Sequence, residues 1–391
     1  MIAEGAGTMD DRGEDTAQRD GSPSSDAPPS DDSTAGPATA DAGPSAETTH
    51  QVDTAGAARG DVRRRPEPST ALAPLSPGPT DLSSAQLLRP TRPTPQTGWR
   101  RALFVASGGL VNPGESEADV ARRELVNRVN QPLAGCYKIA MLSLKGGVGK
   151  TTTTASLGST FASLRGDRVV AVDANPDRGT LAEKVPVETT ATVRHLLRDA
   201  ALVRRYSDVR AYTSQGPSRL EILASDQDPA VSEAFSELDY RRTVDLLEHF
   251  YNIVLTDCGT GLMHSAMRGV LDVADSLVVV SSSSIDGALS ASATLDWLDA
   301  HGYGDLVARS VAVINYVRKS SGGVDLDRVA DHFAGRCRAV ARLPFDPHLD
   351  EGAQIHLEKL APRTRTAMLE LAAVVADDFP RAGSRVRIGP R

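Results

Sequence analysis

The sequence predicts an α/β protein built on a doubly wound, mainly parallel sheet flanked by helices. Three observations support this fold class. A glycine-rich loop at residues 145–152 lies between a short apolar run and a helical segment. Strand-like runs then alternate with helical segments as far as residue 343. Two of these runs end in an aspartate, Asp173 and Asp257, as expected at the edge of a parallel sheet where ligands bind.

Composition sets the first 98 residues apart from the rest of the chain. They contain no Phe, Tyr, Trp or Lys, and they hold 13 of the 24 prolines. Such a segment buries too little apolar surface to offset the entropy lost on ordering, so residues 1–98 are expected to form a disordered arm. A solvated linker is the favoured interpretation. The alternative is a docking tether that is itself in extended polyproline form and contacts a protein partner.

Charge follows the same division. Residues 1–98 carry 15 acidic and 8 basic side chains, a net charge of −7. The whole chain carries −8, which leaves about −1 for residues 99–391. The net charge therefore does not indicate bulk attraction to nucleic acid, although it does not exclude a local basic patch.

The chain carries no predicted signal peptide or transmembrane segment. Its start lacks a basic stretch followed by an apolar run, and no run approaches about 18 apolar residues. Cys136, Cys258 and Cys337 lie far apart, which fits a reduced cytosolic protein without disulfides or a zinc site. We expect a cytoplasmic protein; any attachment to the inner face of the membrane would run through a partner.

A short lead-in region, residues 99–134, precedes the sheet. Ser116 and Asp119 predict the start of a helix, whose apolar face would consist of Ala118, Ala121, Leu125 and Val129. We expect this helix to pack on the main domain. The segment 99–105 is open to two interpretations, namely packing on the domain or an amphipathic contact with a membrane or partner.

The glycine-rich loop has the features needed to bind phosphate. A strand is predicted at residues 139–144 and a helix at 153–164, so the loop opens a helix whose N-terminus favours anions. Lys150 would contact the β- and γ-phosphates of ATP, and the hydroxyl of Thr151 would hold Mg²⁺. The nucleotide-binding residues predicted in the loop are Gly146, Gly147, Val148, Gly149, Lys150, Thr151 and Thr152.

The general P-loop pattern G-x-x-x-x-G-K-[ST] is not met, because its first glycine would fall at Leu144. The sequence K-G-G-V-G-K-T-T instead begins with an additional lysine, Lys145, and resembles the deviant P-loop of the MinD/ParA family at every position. The resemblance extends over about residues 138–380. It implies that Lys145 reaches across an ATP-dependent homodimer to the partner's phosphates. Two close lysines repel each other unless an anion lies between them, which agrees with that role.

The next strand, residues 168–172, leads into Asp173-Ala174-Asn175-Pro176-Asp177, where the family usually has D-x-D. The resemblance places Asp173 near the metal and gives the second position the role of orienting or activating the attacking water. Asn175 stands at that position, and its amide can position a water but cannot take its proton. Hydrolysis is therefore expected to be slow, dependent on a group such as Asp177, or triggered by a partner. The alternative is a pseudo-ATPase that binds ATP without turnover.

A third strand, residues 251–257, ends at Asp257, which we expect to hold Mg²⁺. Gly259 and Gly261 would let the following loop move when the γ-phosphate leaves. Further strands are predicted at residues 276–280, 310–315 and 339–343, and further helices at 287–300, 326–333 and 363–379. The resemblance also implies that Asn315 reads the adenine base and that Pro344 belongs to the loop that closes over it.

A narrower resemblance concerns residues 99–103, 108–112, 136–140 and 173–181. These segments are similar to the MinD-like ATPases associated with actinobacterial and mycobacterial type VII secretion. They imply a protein that regulates or positions a secretion assembly.

Other members of the fold fit the sequence less well. Residues 381–391 are basic and helix-poor, unlike the amphipathic membrane helix of a cell-division MinD. A ParA-like DNA-partition ATPase stays as an alternative, with a surface to which Arg381, Arg385, Arg387 and Arg391 would contribute. The predicted divisions are an arm at 1–98, a lead-in at 99–134, an ATPase domain at 135–380 and a flexible tail at 381–391.

Overall fold

The computed structural model describes residues 94, 98–175, 179–226, 235–261, 263–319 and 323–382. All of them belong to one compact unit. The predicted arm, apart from residues 94 and 98, lies outside the described residues, as do Asp177 and the tail beyond residue 382. No helix among the described residues is long and apolar enough to cross a membrane.

One eight-stranded sheet organises the chain, in the order β3-β4-β2-β5-β1-β6-β7-β8. Every pair of neighbours is parallel except β3 and β4, which are antiparallel at one edge. The mainly parallel sheet predicted from the sequence is therefore confirmed. The strands are β1 (Tyr137–Leu142), β2 (Val169–Ala174), β3 (Ser214–Gln215), β4 (Glu221–Leu223), β5 (Ile253–Cys258), β6 (Ser276–Ser282), β7 (Val311–Asn315) and β8 (Ala339–Leu343).

Helices cover both faces of the sheet, because parallel neighbours need crossover connections. The helices are α1 (Gly98–Ala106), α2 (Glu117–Val129), α3 (Lys150–Leu164), α4 (Val193–Arg198), α5 (Tyr206–Arg210), α6 (Glu237–Leu247), α7 (Ser265–Val273), α8 (Ile285–Ala300), α9 (Gly304–Arg309), α10 (Leu326–Ala334), α11 (Pro347–Asp350), α12 (Pro362–Ala376) and α13 (Phe379–Ala382). Short 3₁₀ turns lie at Leu181–Lys184, Ala200–Leu202 and Leu357–Lys359.

The sheet register brings the glycine-rich loop and two aspartates to the same edge of the sheet. β1 lies between β5 and β6, so the loop that follows it emerges at the centre of the sheet. β2 and β5 are neighbours, and their register places Asp173 directly opposite Asp257. Both carboxylates therefore lie beside the glycine-rich loop at the carboxyl ends of the strands, the edge at which α/β sheets bind ligands.

The C-terminal helices close the core on one face of the sheet. The hydroxyl of Tyr137 donates a hydrogen bond to Asp378 at 2.9 Å, and its ring contacts Phe379 with centroids 4.7 Å apart. The ring of Phe379 also lies 5.7 Å from that of Phe161 on α3. These aromatic contacts attach the end of the chain to β1 and to the helix that follows the glycine-rich loop.

The lead-in helix α2 begins as predicted and packs on the domain. Ser116 caps it, and Asp119 completes a capping box with the backbone of Ser116. Arg128 forms a bidentate ion pair with Asp377 at the end of α12, at 2.6 and 3.1 Å. The predicted apolar face is only partly correct: Leu125 and Val129 contact the core, as does Val126, whereas Ala118 and Ala121 are exposed.

The segment at residues 99–105 forms α1, which has no buried residue. Trp99 is 69% exposed and Val105 is 66% exposed. The first of the two interpretations, packing on the domain, is therefore wrong for these side chains.

The bounds of two predicted elements change for local reasons. β1 ends at Leu142 rather than residue 144, because the hydroxyl of Ser143 accepts a hydrogen bond from the backbone N–H of Lys145 and turns the chain. The last predicted helix, residues 363–379, is divided into α12 and α13, with Asp377 and Asp378 between them.

Candidate nucleotide-binding site

The glycine-rich loop wraps tightly before α3. Gly147 and Gly149 adopt left-handed backbone conformations, with φ of +74° and +86°, which residues with a side chain rarely adopt. A Cβ atom at Gly149 would lie 2.2 Å from the side-chain nitrogen of Asn315. The loop therefore forms a narrow backbone cradle that only glycine fits at this position, and it ends where α3 begins at Lys150.

Lys150 and Thr151 converge on Asp257. The ammonium of Lys150 lies 2.6 Å from one carboxylate oxygen of Asp257, and the hydroxyl of Thr151 donates to the other at 2.6 Å. Thr154 also donates to Asp257, at 3.1 Å. The side chains of Lys150 and Asp257 are 8% and 2% exposed, so two opposite charges are paired in a nearly dry site.

Asp173 adds a second buried carboxylate. It accepts hydrogen bonds from the backbone N–H groups of Asn175 and Leu181, both at 3.1 Å. Burial raises the pKa of its carboxyl to about 7, and the neighbouring charge of Asp257 contributes in the same direction. A cation between the two carboxylates would oppose both effects.

This donor set fits a magnesium nucleotide. A hydroxyl and carboxylate oxygens are the ligands that Mg²⁺ prefers, and Thr151, Asp173 and Asp257 supply them. An ammonium beside a cradle of backbone N–H groups suits the phosphates. Among the described residues there is no group of three or more His, Cys, Asp or Glu side chains that could hold a metal, so a magnesium ion here would draw further ligands from phosphate and water.

Asn175 lies directly after β2, beside Asp173 and half-buried. It also lines a cavity of about 380 Å³, together with Asp173. The sequence prediction placed the water-orienting position here, and the structure puts its residue at the edge of the candidate metal site. No carboxylate stands at position 175.

Lys145 lies on the outer side of the loop and is paired with Asp286. The ammonium is 2.8 Å from the carboxylate, and the two side chains are 39% and 78% exposed. The hydrogen bond from Lys145 lowers the pKa of Asp286. A cavity of about 680 Å³ adjoins this pair and is bounded by Gly146, Val148 and the serines that end β6. Asp286 was not among the predicted site residues, because nothing in its local sequence indicates that α8 begins beside the loop.

Asn315 and Pro344 border a cavity of about 410 Å³ on the other side of the loop. The side-chain amide of Asn315 donates to the carbonyl of Val148 at 2.9 Å. Phe345 and Met368 supply apolar surface to the same cavity. Asn315 and Pro344 therefore border one cavity with Gly147 and Gly149 of the loop, and Asn315 also holds the backbone of the loop.

Cys258 follows Asp257 and is buried. Burial raises the pKa of its thiol to about 12. The thiol therefore stays protonated near neutral pH and is a packing group rather than a nucleophile.

A family model described as an AAA domain matches residues 136–297, which include the glycine-rich loop, Asp173, Asn175 and Asp257. The ESX-1 secretion-associated protein EspI of Mycobacterium tuberculosis is 40% identical over 292 residues. That match covers 74% of this chain and 43% of the relative. Residues 136–297 therefore match a MinD/ParA-like P-loop family model.

Solved structures of the family share the fold. The ParA family ATPase of Chlorobium tepidum has a TM-score of 0.53 at 18% identity, with 61% of this chain and 98% of that one covered. The septum site-determining protein MinD of Pyrococcus horikoshii, complexed with Mg-ADP, has a TM-score of 0.50 at 21% identity, with 65% and 100% covered. At these identities the likeness concerns the fold alone, and the chemistry of this chain depends on its own residues.

Proposed function

We propose that this protein binds Mg-ATP at the deviant P-loop and uses the bound nucleotide to switch its own association state. The bound state would be a homodimer, and hydrolysis would return it to the monomer. The observation that carries this function is the convergence of Lys150 and Thr151 on Asp257, with Asp173 opposite in the register. Four functional side chains then meet at the point where the loop would hold the phosphates.

The exposed surface beside Lys145 supports association through this face. Ile285 and Leu289 on α8 are each 63% exposed. Asp286, the partner of Lys145, lies on the same helix. In the proposed dimer Lys145 leaves this carboxylate for the phosphates of the other subunit, and the apolar side chains nearby lose contact with water.

Hydrolysis is proposed to be slow because position 175 offers an amide in place of a carboxylate. Asn175 can accept or donate a hydrogen bond to the attacking water, but general-base catalysis needs a group that takes up a proton. A partner could supply that group or order the site. The second candidate function, a nucleotide-locked scaffold without useful turnover, rests on the same residue.

The likeness to EspI, named for its association with ESX-1 secretion, supports a role at a type VII secretion assembly. The chain spans less than half the length of that relative, so the partners of EspI are not assigned to this chain, and a secretion partner is our proposal. We place the protein in the cytoplasm, where its arm would contact the secretion machinery at the inner face of the membrane.

Equilibrium binding of a fluorescent ATP analogue to the full chain, with and without Mg²⁺, tests this function. Lys150→Gln and Thr151→Val should each weaken binding, and Thr151→Val should also reduce the effect of Mg²⁺. Lys359→Gln is the matched control, since Lys359 is exposed on a 3₁₀ turn and lines neither of the cavities that contain loop residues. Equal affinity in all of these variants would contradict the proposal that the nucleotide binds at the P-loop. Circular dichroism checks that each variant is folded.

A further inference from the structure

A second surface, distinct from the nucleotide site, lies on the outer side of the helices that cover β2 and β4. It is a groove of about 890 Å³ between the C-terminal half of α4 with its following 3₁₀ turn and the last turns of α6. We propose that this groove, called here the α4–α6 groove, binds an acidic peptide segment of a partner protein that also carries apolar side chains. This inference does not depend on the nucleotide switch.

The floor of the groove is apolar. Leu197, Leu246 and Phe250 are half-buried, and Val203 is 8% exposed. Behind this floor, Leu196 and Leu247 belong to the core that packs on the sheet, so the groove has a rigid base. Leu202, in the turn beside the groove, is 74% exposed. A partner with leucine-sized side chains would cover this surface and gain from its removal from water.

The rim of the groove is basic. Arg198, Arg204 and Arg242 border it with His249, against a single acid, Asp245. Arg198 is already paired with Asp199, at 2.8 Å. In the described part of the chain, Arg204 and Arg242 are exposed and their guanidinium groups form no ion pair with a carboxylate. Two exposed arginines beside an apolar floor complement carboxylates on a peptide, which they can bind with two parallel hydrogen bonds each.

The same features argue against nucleic acid as the occupant. A groove that follows a phosphate backbone needs a dense row of cations, whereas this one has an apolar floor and carries Asp245 on its rim. Residues 99–391 also have a net charge of about −1, so no general field draws a polyanion to this face.

The groove lies one helix away from the nucleotide site. Leu197 and Arg198 line both this groove and the cavity that contains Asp173 and Asn175. α4 is connected to the sheet through the backbone N–H of Val193, which donates to the carbonyl of Ala224 at 2.9 Å. A peptide in the groove would therefore contact the helix that borders the candidate metal site.

Selection of short random peptides by display against the full-length protein tests this assignment. Selected peptides should carry net negative charge with apolar residues, and Arg204→Glu/Arg242→Glu should weaken their binding about tenfold or more, since each reversal replaces attraction with repulsion. The matched control is Arg122→Glu/Arg365→Glu, which makes the same change in net charge at two exposed arginines on α2 and α12. We expect the control to bind within about twofold of the native chain, and binding to weaken with added salt.

The neutral pair Arg204→Gln/Arg242→Gln should lose less affinity than the charge reversal. Circular dichroism and nucleotide binding confirm that all variants are folded. A selection that yields no acidic peptide sensitive to Arg204→Glu/Arg242→Glu contradicts the assignment. Duplex DNA is the second probe: DNA binding that is lost in this variant, without peptide binding, would assign the groove to nucleic acid and overturn the proposal.

Discussion

Asp173 should make the nucleotide-free protein less stable as the pH rises. Its carboxyl has a pKa of about 7 in the folded chain, because it is buried and faces Asp257, against an ordinary value of 3.8. The folded state therefore binds this proton more tightly than the unfolded state does. The contribution of Asp173 to the free energy of unfolding therefore falls as the pH rises from about 4 to about 7 and is constant above that range.

The size of this effect follows from the two pKa values. About three pKa units correspond to about 4 kcal/mol lost between pH 4 and pH 8. Asp173→Asn removes this contribution. Asparagine keeps one acceptor oxygen for the two backbone N–H groups of Asn175 and Leu181, so one of these hydrogen bonds is lost, at a cost of about 1–3 kcal/mol at every pH.

The lost proton-binding contribution and the lost hydrogen bond together predict that the stability curves of the native chain and the variant cross as the pH rises. The Asp173→Asn variant should be less stable than the native chain at pH 4, by about 1–3 kcal/mol, and more stable at pH 8 by a similar amount. Urea unfolding of nucleotide-free protein across this range measures the difference, with Asp305→Asn as the control at an exposed carboxylate on α9. A difference between native and variant that does not change with pH would refute the assignment of this proton to Asp173.

Three further changes follow from the site. Lys145→Ala should abolish the ATP-dependent dimer and spare nucleotide binding, because Lys145 lies on the exposed side of the loop against Asp286; a variant that dimerises normally in sedimentation would contradict this role. Asn175→Asp should raise the rate of phosphate release by about tenfold or more, since a carboxylate can accept a proton from water; no gain would show that position 175 does not limit turnover. Gly149→Ala should eliminate binding of a fluorescent ATP analogue, because its Cβ would lie 2.2 Å from the side-chain nitrogen of Asn315, and retained affinity would show that the cradle tolerates a wider loop.

The central strands could be predicted from the sequence because they are continuous apolar runs. β1, β5, β6 and β7 are buried almost throughout. Strands in the middle of a parallel sheet are buried on both faces, so their sequences are nearly continuous apolar runs. The short strands β3 and β4, at one side of the sheet, could not be found in this way. They have only two and three residues, and β4 carries the buried Glu221, whose charge hides the apolar pattern.

Glu221 is tolerated in the interior because tertiary contacts satisfy it. The hydroxyls of Thr213 and Tyr251 donate to its carboxylate at 2.8 and 2.6 Å, and Tyr206 donates as well. These donors lie 8, 30 and 15 positions away in the sequence, so no local pattern indicates that the carboxylate is paired.

The glycine-rich loop was the most predictable part of the candidate site, because its residues are contiguous and a phosphate would be held by its backbone N–H groups and the adjacent helix. Contacts between distant segments were not predictable. The pairing of Lys145 with Asp286 and the hydrogen bond from Asn315 to Val148 join residues 141 and 167 positions apart. The D-x-D comparison identified Asp173, but only the sheet register shows that it lies opposite Asp257.

Sedimentation of the full-length protein in Mg-ATP, and separately in Mg-ADP, tests the proposed switch most directly. We expect a dimer in Mg-ATP and a monomer in Mg-ADP, with slow conversion between them if Asn175 limits hydrolysis as proposed. A monomer in both conditions, with nucleotide shown to be bound, would contradict the switch.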